Sequence, residues 1–129
     1  MQAEKKLTVN TPLSDYDSIT ETIQHYINGG KTGNSDEMKL AFHKDATIFG
    51  YIGPDLFSGP IQGLFDWNDQ NGAATELEGR ITSIDLAGTA ATARIELDNW
   101  SGHRFTDFFT LLKVDGEWKV MNKVFYLHP

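Results

Sequence analysis

Two alternating runs, Phe105–Val114 and Glu117–Leu127, are separated by nothing but Asp115-Gly116. Asp-Gly tolerates the positive φ angles of a tight hairpin turn, so the two runs are predicted to pair antiparallel. Pairing Val114 with Glu117 sets the register. Asp107 then lies opposite Val124, Phe109 opposite Asn122, and Leu111 opposite Val120. Strand alternation places Phe105, Asp107, Phe109 and Leu111 on one face with Trp118, Val120, Asn122, Val124 and Tyr126. The other face carries Thr106, Phe108, Leu112, Met121, Lys123 and Phe125. An aspartate amid aromatic and aliphatic side chains needs a reason, because an unpaired buried carboxylate is costly. Asp107 is either a structural carboxylate bonded to Asn122 or a backbone amide, or a pocket acid with a raised pKa.

The rest of the chain supplies what this hairpin packs against. A helix is expected from Ser14, acting as N-cap, to Gly29-Gly30, with Ile19, Ile23, Tyr26 and Ile27 on one stripe. Asn34 and Glu37 form a capping box for a short second helix, and His43-Lys44-Asp45 reads as a turn before a strand over Ala46–Ile52. Gly59-Pro60 opens a third helix that ends at Asn71-Gly72. Strands over Leu77–Leu86 and Thr89–Trp100 precede the hairpin. Across the loop between Trp100 and Phe105, one register sets Asp98 opposite Asp107, and a one-residue slip sets Leu97 there. The order predicts an α+β domain, with three N-terminal helices on one face of a curved antiparallel or mixed sheet. Residues 1–13 read as a loose arm before a single domain over 14–129.

Composition removes several function classes. The 129 residues carry 11 basic and 18 acidic side chains, a formal charge of −7, which argues against nucleic acid and anionic membrane partners. With no cysteine, disulfides and thiolate chemistry are excluded. The N-terminus lacks a signal-peptide core, so a cytoplasmic location is expected. His25, His43, His103 and His128 show no metal-site spacing, and no metal or other cofactor is expected. Gly29-Gly30-Lys31-Thr32-Gly33 follows a helix where a phosphate-binding loop would follow a strand, and it reads as a helix-ending turn.

The helix–sheet order, with Phe42-His43-Lys44-Asp45-Ala46-Thr47 before the first strand and the run Phe105–Phe125 at the end, resembles the nuclear transport factor 2-like superfamily, a cystatin-like cone. Within it the chain is similar to a bacterial lumazine-binding-like branch over roughly residues 14 to 128. Distantly it resembles the ketosteroid isomerases, whose oxyanion hole pairs a tyrosine with a protonated aspartate. Matched on Asp45-Ala46-Thr47, that tyrosine falls on Tyr26; matched on the strand before Asp115, the aspartate falls on Asp107. The isomerase base position is Gly50, which moves no proton, so steroid isomerisation by that route is not expected. His43 is the nearest alternative base.

The resemblance implies an apolar cavity that takes a small carbonyl- or enol-bearing ligand. Tyr26, Asp107, Asn122 and Tyr126 are its expected polar groups. Trp67, Trp100, Tyr51 and Phe57 are expected at its rim or mouth. The alternative is an enzyme, an isomerase, cyclase or dehydratase, with Asp107 as acid and Tyr26 as donor. A third possibility is a bare dimerisation scaffold whose cavity is filled by its own side chains. The resemblance also implies a homodimer through the outer sheet face, where Phe108, Leu112, Met121 and Phe125 are expected.

Overall fold

The computed structural model describes residues 12–129. The arm expected over residues 1–13 lies outside that range except for Pro12 and Leu13, which begin the first helix.

Helix α1 spans Pro12–Thr32. Proline suits a helix start because its fixed φ is already helical and its missing N–H is not needed there. Ser14 therefore sits inside the first turn and is not the N-cap. The buried stripe is Ile19, Ile23, Tyr26, Ile27, Gly29 and Gly30. The two glycines do not end the helix, which runs on to Gly33, where φ is +70°. Their role is close approach. A Cβ on Gly29 would lie 2.5 Å from the Met38 Cβ, and one on Gly30 would lie 2.7 Å from the Trp100 ring. Helix α2 covers Ser35–Lys39, and the Asn34 side chain accepts the N–H groups of Asp36 and Glu37. The Glu37 carboxylate does not complete the capping box; it pairs with His25 Nδ1.

Strand β1 runs from Phe42 to Ile52, so the expected turn at His43-Lys44-Asp45 is instead the irregular start of a strand. It forms a hairpin with β2, Asp55–Pro60, a stretch expected to be loop and helix start. Pro60 is tolerated because β2 is an edge strand, where the N–H that proline lacks is not needed by a further neighbour. Helix α3, Gln62–Asn71, begins after it. Strands β3 (Glu78–Ala87), β4 (Ala90–Trp100), β5 (His103–Val114) and β6 (Glu117–Leu127) complete the chain. The six strands lie in the order β2-β1-β6-β5-β4-β3, antiparallel throughout except for the parallel pair β1–β6. The helices pack on the inner face of this curved α+β sheet, and Ile19, Ile23, Phe42, Phe109 and Val120 share the core between them.

One extra residue decides which side chains β6 turns inward. From the Asp115-Gly116 turn the pairing proceeds as expected to Leu111 opposite Val120. The next pair is Thr110 with Asn122, so Met121 is an unpaired bulge. A bulge inverts the alternation beyond it. Trp118 and Val120 face the core, but so do Lys123 and Phe125, while Asn122, Val124 and Tyr126 turn outward. Asp107 lies opposite Phe125 on β6 and Ile95 on β4, so neither Val124, Asp98 nor Leu97 is its partner. Asp98 is instead an exposed partner of Arg104.

The outer face exposes Phe49, Tyr51, Phe108, Leu112, Val124 and Tyr126. Phe125, expected there, is in the core, and Met121 is half-buried. Among the described residues no helix is long and apolar enough to cross a membrane.

Candidate functional site

Three polar side chains from three elements converge in the core. Tyr26 comes from the buried stripe of α1, Asp107 from the middle of β5, and Lys123 from β6 beyond the bulge. They are 0 %, 0 % and 4 % exposed. The Tyr26 phenol donates to Asp107 Oδ2 at 2.5 Å and accepts from Lys123 Nζ at 2.7 Å. Lys123 Nζ stands 3.7 Å from the same carboxylate oxygen. The ammonium also lies over the Tyr26 ring, 4.8 Å from its centroid, and 5.7 Å from that of Trp100.

Burial governs the protonation of all three. It pushes the Asp107 carboxyl up, and the neighbouring Lys123 charge opposes that rise. It pushes the Lys123 ammonium down, with Asp107 opposing. The Tyr26 phenol is held well above its ordinary value by burial and by the Asp107 charge, so it remains a neutral donor. The lysine and the aspartate, 3.7 Å apart, are a buried pair bridged by a phenol, in which a proton need travel only one hydrogen bond from each partner.

Beside this cluster is a cavity of about 80 Å3, room for several water molecules. Its walls are apolar and largely aromatic: Trp67, Trp100, Phe57, Phe105 and Phe125 with Ile48, Ile52, Leu64 and Leu127, and His103 at the side of the β4–β5 turn. Among the described residues Lys123 is the only lysine or acid in the lining. Tyr26 and Asp107 stand behind it and do not reach the cavity. Three buried side-chain atoms have no hydrogen-bond partner among the described residues, Asn68 Oδ1, Trp100 Nε1 and Asp107 Oδ1, and the last two lie in or beside this cluster. An apolar chamber with one charged donor is suited to a ligand that is mostly hydrocarbon and carries one oxygen.

A family model described as "putative lumazine-binding" matches residues 14–126. The chain belongs to this family. The fold described above is nuclear transport factor 2-like and cystatin-like, as in similar solved structures. Aldolase FrzH from Cladobotryum sp is 31% identical over 117 residues, covering 90% of this chain and 94% of that protein. The structure of an NTF2-like protein of unknown function from Methylobacillus flagellatus KT is 51% identical, with a TM-score of 0.90 over 94% of this chain and 98% of its own. Another, from Shewanella baltica OS155, is 46% identical, with a TM-score of 0.88 over 94% and 99%.

In this member of the lumazine-binding-like family the residues singled out from the sequence separate into two groups. Tyr26 and Asp107 meet, and Trp67 and Trp100 line the cavity with Phe57. Asn122 does not reach it. The bulge turns Asn122 outward, where its amide donates to Thr47 Oγ1 at 2.9 Å. Tyr126 and Tyr51 are likewise on the outer face, 54% and 61% exposed. His43 uses Nδ1 to accept the Asp45 N–H at 3.0 Å and lies away from the cavity. Tyr26 and Asp107 do not point two free donors at a ligand, because they bond to each other and to Lys123. Gly50 does face inward, and the Phe125 ring occupies the space a side chain would take, 2.5 Å from a Cβ built there. A carboxylate base at that position is therefore excluded by packing as well as by residue type.

Lys123 was hidden by strict alternation. The available signal was the inward Asp107, which lacked a counter-charge in the expected register and gains one if β6 slips by a residue. Among the described residues no group of three or more His, Asp or Glu side chains is placed to hold a metal ion.

Proposed function

We propose that this chain binds a small, largely apolar molecule through a carbonyl or enol oxygen, with the Lys123 ammonium as the polar contact. The observation that carries this reading is the position of Lys123, a residue 4 % exposed yet part of the lining of an otherwise largely apolar cavity. A charged donor in a low-dielectric chamber selects strongly for an acceptor, since a ligand without one leaves the donor unpaired. Acetophenone and ethylbenzene, matched in shape and differing in the oxygen, test this by calorimetry. Acetophenone is expected to bind at least about tenfold more tightly, the lower end for a hydrogen bond to a charged group. Lys123→Met should remove the difference. Equal binding of the two compounds to the wild type would contradict the proposal.

A second reading, catalysis on a carbonyl substrate, is favoured by the aldolase among the relatives and by the proton path from Lys123 through Tyr26 to Asp107. An ammonium facing a carbonyl stabilises the enolate that forms when a neighbouring bond breaks. Release of benzaldehyde from 4-hydroxy-4-phenylbutan-2-one is the assay. Asp107→Asn, assayed under conditions where the variant is folded, should abolish turnover, whereas a pure binding role loses only modest affinity.

The outer sheet face supports pairing with a second copy. Val124 sits between Phe49 of β1 and Phe108 of β5, so three adjacent strands present one apolar row that a two-fold axis would set against itself.

A further inference from the structure

Three regions outside the ion-pair cluster compete for attention. Glu96 on the outer face gathers Arg94, Arg104 and Thr106, but these satisfy one another. Asp15 is similarly spent on Lys113 and Trp118. The shallow groove between α1 and β3 is open and holds no titratable group except Arg80. Lys123 is different, because its amine is a nucleophile once it loses a proton, and its surroundings provide a place for that proton to go.

We infer that Lys123 Nζ condenses with an aldehyde or an unhindered ketone in the aromatic cavity to form an imine. The inference rests on the carbonyl-binding reading above and adds a covalent bond to it. Its geometric basis is a lysine in the cavity lining whose primary amine is one hydrogen bond of 2.7 Å from a phenol that is itself bonded to a carboxylate at 2.5 Å. Among the described residues no other lysine lines the cavity.

The proton balance closes within the cluster. The Lys123 ammonium passes one proton along Tyr26 to Asp107 and becomes a neutral amine. The nitrogen lone pair attacks the carbonyl carbon, the C–N bond forms, and the C=O π pair moves onto oxygen. That oxygen takes one proton from the nitrogen. Asp107 then returns its proton through Tyr26 to the hydroxyl, which leaves as water as the C=N bond forms. One N–H remains on a cationic iminium, and Asp107 is again a carboxylate. The charge present before the reaction, one ammonium facing one carboxylate, is the charge present after it, so no uncompensated charge is created in the core. Burial favours the neutral amine, and each unit by which an amine's pKa falls raises its neutral fraction at pH 7 about tenfold.

The test uses the wild-type chain with benzaldehyde as the probe and sodium cyanoborohydride to fix any imine as a secondary amine. Peptide mapping then locates the benzyl group. Lys123 is expected to carry more label than any other lysine. Lys123→Arg should lose that label, and Tyr26→Phe, which interrupts the proton path, should slow its appearance. Saturation-transfer NMR on the same mixture, before reductant is added, reports whether benzaldehyde occupies the protein at all. Occupancy without preferential labelling of Lys123 overturns the imine and leaves the carbonyl-binding reading in place. Absence of occupancy overturns both. Because the decisive map is made on the wild type, a variant that fails to fold does not remove the test.

Discussion

Lys123 and Asp107 are each other's reason for being buried. Removing the lysine alone leaves a carboxylate in the core without a counter-charge, and removing the aspartate alone strands an ammonium. Each single change, Lys123→Met or Asp107→Asn, is expected to cost about 3–5 kcal/mol in urea denaturation, while the double variant should lose clearly less than their sum. Strict additivity would show that the pair is not coupled. Asp15 behaves in the opposite sense to Asp107. Hydrogen bonds from Lys113 and Trp118 hold its carboxyl below the ordinary 3.8. A depressed folded value means that the unfolded chain takes up the proton first as pH falls, so Asp15 stabilises fully above pH 3.8 and its contribution fades as pH drops further. The stability gap between wild type and Asp15→Asn should therefore be widest near neutrality and shrink in acid. A gap that is unchanged between pH 6 and the low end, about pH 2.5, would contradict this.

At the scale of elements, local chemistry was legible where it repeats and illegible where it breaks. The Asp115-Gly116 turn, the Asn34 cap and the stripe through Ile19, Ile23 and Tyr26 follow from short-range rules, and the structure follows them. The bulge at Met121 has no local signature, and missing it exchanged Lys123 for Asn122 at the site. Strand β2 was missed because Gly59-Pro60 carries a turn signal that an edge strand also accepts. Gly29 was read as a helix stop, yet it is a packing requirement between α1 and α2. Helix propensity and packing predict opposite signs for Gly29→Ala. A glycine in a helix interior that touches nothing would gain about 0.5–1 kcal/mol on becoming alanine. With Met38 backbone atoms 2.7 and 2.8 Å from the new Cβ, the overpacking instead predicts a loss of about 1–3 kcal/mol. Thermal unfolding of the variant distinguishes them, and a stabilised protein would refute the packing account. Gly50→Ala should lose a similar amount against Phe125, and Phe125→Leu should relieve part of that loss.

For the whole molecule, the layer order was readable because helices and alternating strands follow one another in the chain in the order in which they stack. The occupant of the cavity was not, since a chamber is made by what side chains leave empty. The outer row around Val124 predicts a dimer in sedimentation at micromolar concentration. Val124→Glu, at a position already 43% exposed, should yield a folded monomer, and a wild type that sediments as a monomer would remove the basis for pairing.

The central claim, an aromatic cavity with an amine in its wall, is tested most directly by the indole N–H resonances of the three tryptophans during a benzaldehyde titration. Trp67 and Trp100 line the cavity, whereas Trp118 donates to Asp15 at 3.0 Å and provides the internal control. Saturable shifts at Trp67 and Trp100 with Trp118 unmoved are the predicted result. Three resonances that stay still, or that move together, would contradict it.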